Sequence, residues 1–138
     1  MEQFFEFVSN HLILVGIFLF LLVAFFINEG KRGGSTVSAQ LLVKLFNQGE
    51  TAILDIRDEK EFRQGHIVGS INIPYASIDN RIQELEKYKD KTIIIVCKMG
   101  QHAGVVGRKL KTLGYIDVRR LAGGLSEWTA SSMPLVKK

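Results

Sequence analysis

The stretch Ile93–Gly107 reads IIIVCKMGQHAGVVG. Four β-branched residues run into Cys97, the single cysteine of the 138-residue chain, and Gly100 and Gly104 follow before a helical pattern begins. A thiol placed this way stands at the carboxyl end of a buried strand, where open α/β sheets bind ligands. Backbone N–H groups of the loop and of the next helical turn, with the positive end of the helix dipole, would stabilise an anionic sulfur there. Lys98 adds positive charge, Gly100 permits a tight loop and Gly104 a close backbone approach. The competing reading of a lone cysteine is a small buried hydrophobe. A single cysteine makes no internal disulfide, which points to a reducing compartment. His11, His66 and His102 are scattered without ligand spacing, so neither a zinc site nor another metal or cofactor is expected.

The elements that must position this thiol alternate between helix and strand. Ser38 can cap a helix with Leu41, Leu42, Leu45 and Phe46 on its apolar side, ending before Gly49. Strands are expected at Ala52–Ile56, Ser70–Ile73, Thr92–Val96 and Ile116–Leu121, and Asp58 can open a short helical turn through Phe62. Ser77 can cap a helix carrying Ile78, Ile82 and Leu85, Ala103–Leu113 reads as a helix closed by Gly114, and Leu125–Ala130 as a last short one. Thr92–Val96 has no polar residue after its threonine, which suits a central strand covered on both faces. The alternation predicts an α/β domain with a largely parallel sheet.

The first thirty residues have another character. Phe7–Asn28 holds no formal charge and Leu12–Ile27 is wholly apolar. At about 1.5 Å per residue a helix over this run crosses a hydrocarbon core of roughly 30 Å. A secretory signal peptide would begin with basic residues and end in a small-residue cleavage site, whereas here Glu2 and Glu6 precede the run and AFFINEG ends it. A core helix would show a polar face. The expected organisation is a membrane anchor over residues 1–29 with its transmembrane helix at about 7–28. A glycine-rich linker at 30–35 and a domain over 36–138 follow. All 18 Lys and Arg lie at or after Lys31, and only Glu2, Glu6 and Glu29 of the 14 acids precede it, so residues 31–138 carry +7. Lys31 and Arg32 flank the inner end, which predicts an outward N-terminus and a cytoplasmic domain. The basic residues of KYKDK (87–91) and Arg119–Arg120 are too dispersed, and too poor in aromatic partners, for a nucleic-acid stripe.

The stretch from Asp55 to Pro74, DIRDEKEFRQGHIVGSINIP, is similar to the first signature of the rhodanese family of single-domain sulfurtransferases, D-x-R-x-x-x-E-[FY]-x-x-G-H-I-x-G-[AS]-x-N-[IL]-P. Asp55, Arg57, Glu61, Phe62, Gly65 and His66 match it, as do Ile67, Gly69, Ser70, Asn72, Ile73 and Pro74. Cys97 and Gly100 match the family's active-site loop C-x-x-G, and Gly123, Gly124 and Trp128 match G-G-x-x-x-W. With its apolar N-terminus the chain resembles the membrane-anchored rhodaneses of the YibN type. The resemblance implies about five parallel strands with helices on both faces, and a substrate-binding loop of Lys98, Met99, Gly100, Gln101, His102 and Ala103. In that picture Cys97 takes sulfane sulfur from thiosulfate or a persulfide donor as a persulfide, and passes it to cyanide or a thiol outside the chain. Asp55, Arg57, Gly65, His66, Gly123, Gly124 and Trp128 are read as structural motif residues. Many rhodaneses carry Arg, Ser or Thr where this loop has His102, which puts the substrate preference in question. The related phosphatases use C-x5-R, and Ala103 stands where that arginine would be. The alternative to an enzyme is an adaptor, in which the fold binds a membrane-protein partner.

Overall fold

A computed structural model describes residues 1–137; Lys138, the end of the expected domain, lies outside them. Two compact units emerge, Met1–Lys31 and Arg32 onward.

The first unit is helical. Helix α1 spans Glu2–Asn10 and helix α2 spans Leu12–Arg32. They meet at His11, whose backbone (φ −127°, ψ 40°) leaves the helical region. Ser9, Asn10 and His11 are weak helix formers, which locates the break. The expected single helix from residue 7 to 28 is therefore divided, and the apolar rod begins at Leu12. Its 21 residues reach about 31 Å at 1.5 Å each. None of Leu12–Glu29 is buried.

The second unit is a five-stranded parallel sheet flanked by helices. Strands β1 (Ser35–Val37), β2 (Thr51–Asp55), β3 (Ile71–Asn72), β4 (Thr92–Val96) and β5 (Asp117–Leu121) lie in the order β1-β5-β4-β2-β3. Strand β4 is central, and Ile93, Ile94 and Ile95 are fully buried. Because side chains alternate along a strand, Ile93 and Ile95 enter one core with Ile78, Leu85 and Leu110, while Ile94 and Val96 enter the other with Leu42, Leu121 and Trp128. Helices α3 (Ala39–Asn47) and α7 (Gly124–Ala130) cover the second face, α5 (Ile78–Arg81) and α6 (Ala103–Thr112) the first. A short helix, α4 (Glu59–Gln64), follows β2. Ser38 caps α3 by accepting a hydrogen bond from the Leu41 N–H at 3.2 Å.

Some local expectations are corrected. The helix expected after Ser77 is only one turn of α5, continued as a 3-10 helix over Ile82–Tyr88, and Ser77 makes no side-chain cap bond. The buried Ile78 and Leu85 are retained by the tighter coil. Asp58 stands before α4 without capping it through its side chain. The stretch 30–35, expected as a flexible linker, is structured: α2 runs to Arg32, and Ser35 opens β1, paired to Arg119 of β5. Between them Gly33 and Gly34 are packed. A Cβ on Gly107 would sit 2.0 Å from the Gly33 carbonyl oxygen, and one on Gly34 2.4 Å from that of Val118. The Arg120 Nε–H donates to the Gly34 carbonyl at 3.1 Å.

Candidate active site

Cys97 follows β4 directly, at the carboxyl end of the central strand, and is only 5% exposed. Its Sγ accepts a hydrogen bond from the Gly100 N–H at 2.8 Å. That bond needs the chain to double back within three residues, which Gly100 achieves at φ +86°.

The loop is held from behind by α7. The Leu125 N–H donates to the Cys97 carbonyl at 2.8 Å and the Ser126 N–H to the Lys98 carbonyl at 3.0 Å. The Ser126 hydroxyl donates to the same Lys98 carbonyl, also at 3.0 Å. In a trans peptide the carbonyl and the next N–H point opposite ways, so the N–H groups of Lys98 and Met99 face away from α7. Such an arrangement clears carbonyl dipoles from the sulfur and leaves donors for an anion. The approach is close: a Cβ on Gly124 would lie 2.3 Å from the Cys97 carbonyl oxygen, and Gly124 has φ +63°. Gly124 is thereby joined to the cysteine loop, while Gly123 lies against Glu127 of its own helix, and Trp128 anchors that helix from the core by donating from its indole N–H to the Pro134 carbonyl at 3.0 Å.

The far end of the loop passes into α6. Ala103 is buried, and His102 occupies the N-cap position without a side-chain cap bond. Its ring stacks instead on Tyr75, with centroids 4.4 Å apart and planes 24° apart. Met99 is 60% exposed and Gln101 is exposed beside it.

Lys98 shares a cavity of about 260 Å³ with Arg57, Glu61, Gln64, Gly65 and Leu135. The Arg57 guanidinium grips the buried Asp55 carboxylate, with Nη2 to Oδ2 at 2.8 Å and Nε to Oδ1 at 3.0 Å, and donates to the Gly65 carbonyl at 2.7 Å. Asn72 donates to the Asp55 and Arg57 carbonyls, tying β3 to this corner. His66 is buried, stacked on Phe62 at 3.8 Å. Its Nδ1 lies 2.8 Å from the Phe62 carbonyl, which can only accept, so that nitrogen carries the proton. The backbone of His66 bridges that of Val136.

Thus the fold gathers Cys97, Lys98, Gly100, His102 and Gly124 around one loop, with Gly123 just before α7 and Arg57 lining the same cavity as Lys98. His66 and Trp128 make structural contacts elsewhere. Sequence reasoning missed Tyr75 and Ser126. The signal for Tyr75 was available: an aromatic just after the Pro74 that ends a strand stands at the ligand-binding edge of a parallel sheet.

A model of the rhodanese-like domain matches residues 38–131. The chain belongs to the rhodanese-like family. The uncharacterized protein YibN of Escherichia coli strain K12 is 33% identical over 141 positions, which cover 99% of each chain. The human thiosulfate:glutathione sulfurtransferase is 29% identical over 108 positions, 70% of this chain and 94% of its own. Among solved structures, a rhodanese-related protein from Thermoplasma volcanium superimposes with a TM-score of 0.67 at 27% identity, covering 75% of this chain and 99% of that one. The rhodanese fold and its sulfurtransferase relatives support a sulfurtransferase-type role in general terms, and the apolar α2 is compatible with a membrane anchor.

Proposed function

We propose that the chain is a membrane-tethered sulfurtransferase that works through a Cys97 persulfide. The Cys97 thiolate attacks the sulfane sulfur of thiosulfate, forming an S–S bond while the sulfur–sulfur bond of thiosulfate breaks and sulfite leaves with the electron pair. A persulfide donor reacts the same way, releasing its thiolate. The terminal sulfur, now anionic, is then attacked by cyanide or an external thiolate, and the Cys97 thiolate is restored. The acceptor is external because no second cysteine exists in the chain. One difficult transfer is split into two displacements, and the protein's contribution is a fixed set of donors around the charged sulfur.

The observation that carries this reading is the Gly100 N–H on Cys97 Sγ, in a loop whose Cys97 and Lys98 carbonyls are bound by α7. It favours an enzyme over an adaptor, which needs no donor aimed at sulfur. Purified full-length chain in detergent should convert thiosulfate and cyanide to sulfite and thiocyanate, and Cys97→Ser should not. Equal turnover by the two proteins would remove Cys97 from the reaction. His102, stacked on Tyr75, stands where many rhodaneses have a fixed charge or hydroxyl, so persulfide donors are expected to compete well with thiosulfate.

For location we propose the inner membrane of a bacterium, with α2 spanning it once, the N-terminus outside and residues 36–138 in the cytoplasm. The support is the Lys31–Arg32 flank and the free thiol. A reporter active only outside the cytoplasm, fused after residue 138, should stay silent, and a signal from it would reverse the orientation. Partners in this reading are the sulfur donor, the thiol acceptor, the bilayer and a membrane protein nearby.

A further inference from the structure

The cavity that Lys98 shares with Arg57 has a charge pattern that the Cys97 thiolate alone does not require. Strand β2 pairs with β4 in the register Asp55 with Val96, and the Ile56 N–H donates to the Val96 carbonyl at 2.9 Å. Arg57 and Lys98 each lie two residues farther along, so the cavity begins beside the cysteine, with the Cα of Lys98 about 3.8 Å from that of Cys97. Glu61, half-buried on α4, faces the same cavity as the exposed Lys98. Neither side chain has a hydrogen-bond or ion-pair partner among the described residues. Arg57 is already occupied by the buried Asp55 carboxylate, with Nη2 and Oδ2 2.8 Å apart. Counted with Asp55, two positive and two negative groups meet here. The lining is therefore neutral in sum, with one free pole of each sign.

A bare dianion gains little from such a lining, because what it wins at Lys98 it loses against Glu61. The ligand that fits two separate poles is itself zwitterionic, its ammonium toward Glu61 and its carboxylate toward Lys98. At about 260 Å³ the cavity is smaller than the roughly 300–1,000 Å³ of pockets for drug-sized ligands, which limits it to a small molecule. Leu135 supplies an apolar wall for a methylene group. We infer that the cavity binds the amino-acid end of a small thiol acceptor, free cysteine being the simplest, and so selects the thiol that discharges Cys97. This inference rests on the sulfurtransferase reading. The acceptor thiolate attacks the terminal sulfur of the Cys97 persulfide. A bond forms between those two sulfurs, the bond to Cys97 breaks, and its electron pair returns to Cys97 as thiolate. The acceptor leaves as its own persulfide.

The test uses the full-length chain in detergent, loaded with sulfur from thiosulfate or a persulfide donor and then freed of donor. One thiol at a time discharges it, and intact mass follows the loss of the sulfur atom. L-Cysteine and D-cysteine have the same intrinsic reactivity, so that reactivity cancels between them. In the parent their rates should differ by about threefold, the size of one partly exposed charge contact, because sulfur, ammonium and carboxylate are each held. Glu61→Gln should bring the two enantiomers together. Measured against 2-mercaptoethanol, which has neither pole, Glu61→Gln should slow cysteamine and not 3-mercaptopropionate, and Lys98→Gln the reverse. Neither altered side chain has a partner within the described residues, so folding is not at stake. Equal rates for the two enantiomers in the parent, or thiol preferences that both substitutions leave in place, overturn the inference, while a loaded Cys97 leaves the sulfurtransferase reading standing. A parent chain that never loads sulfur overturns that reading, and this inference with it.

Discussion

The two ends of one sheet are built on different terms. At the carboxyl end of β4 the working groups are backbone: the Gly100 N–H on sulfur, and the Leu125 and Ser126 N–H groups on the loop carbonyls. At the amino end the exposed groups are side chains, Ile116 and Leu113 among lysines. Backbone groups can be aimed only by forcing the chain into shapes that few residues adopt, so the first end is marked by glycines at fixed spacing. Side chains on a turn need no special backbone, so the second end carries no motif and shows itself only through exposure.

The largest effect on stability is expected where the carboxyl end is braced by a buried charge pair. Asp55→Ala leaves the nearly buried Arg57 guanidinium without its partner, and breaking such a pair costs about 3–5 kcal/mol. Urea unfolding of the full chain in detergent should show that loss. A cost within error would mean the corner relaxes around Arg57 and does not brace the loop.

Gly124→Ala separates backbone control from packing. The added methyl would meet the Cys97 carbonyl oxygen at 2.3 Å, on a residue held at φ +63°. We expect destabilisation of about 1–3 kcal/mol and a larger proportional loss of sulfur-transfer rate, because the loop carbonyls must move to make room. An alanine variant that unfolds more easily but transfers sulfur at the wild-type rate would show that the α7 contact is scaffolding only.

The smallest effect belongs to the amino end. Burial pushes the Asp117 carboxyl up, but hydrogen bonds from Arg119 and Thr92 and the charges of Arg119 and Lys111 outweigh it, so the group titrates below its ordinary value. A carboxylate with a lowered folded-state pKa adds stability that is whole above the unfolded value, about 3.9. That stability is lost as pH falls through the folded value. Asp117→Asn should therefore be less stable than the parent at neutral pH, by under about 1 kcal/mol for a pair this exposed. The gap should close only below about pH 4. A gap that closes between pH 5 and 7 would point to another group.

How far the sequence carried follows the same division. Strand β4 was legible because a run of β-branched residues without a polar position fits only a strand buried on both faces. The cysteine loop was legible from Cys97 and Gly100, and Asp55 and Arg57 only as structural residues of the signature they match, because Arg57 lies two residues beyond the end of β2. Strand β1 was not, because Ser35–Val37 is a strand only by pairing with β5, and Gly33 is packed only because Gly107 lets α6 come close. The place of Tyr75 after Pro74 was readable, but its stacking partner was not, because His102 lies 27 residues farther along the chain. The division of the N-terminal helix at His11 lay in three weakly helical polar residues, where absence of charge suggested continuity.

The central claim is that Cys97 carries sulfur, and intact mass spectrometry of the full chain after a single turnover tests it most directly. Mixed with excess thiosulfate and quenched, the protein should gain the mass of one sulfur atom per chain and lose it on addition of cyanide, while Cys97→Ser, folded as the parent is, should gain none. Wild-type chain that takes up no sulfur from thiosulfate or from a persulfide donor would contradict the account and leave the loop at the end of β4 without its proposed chemistry.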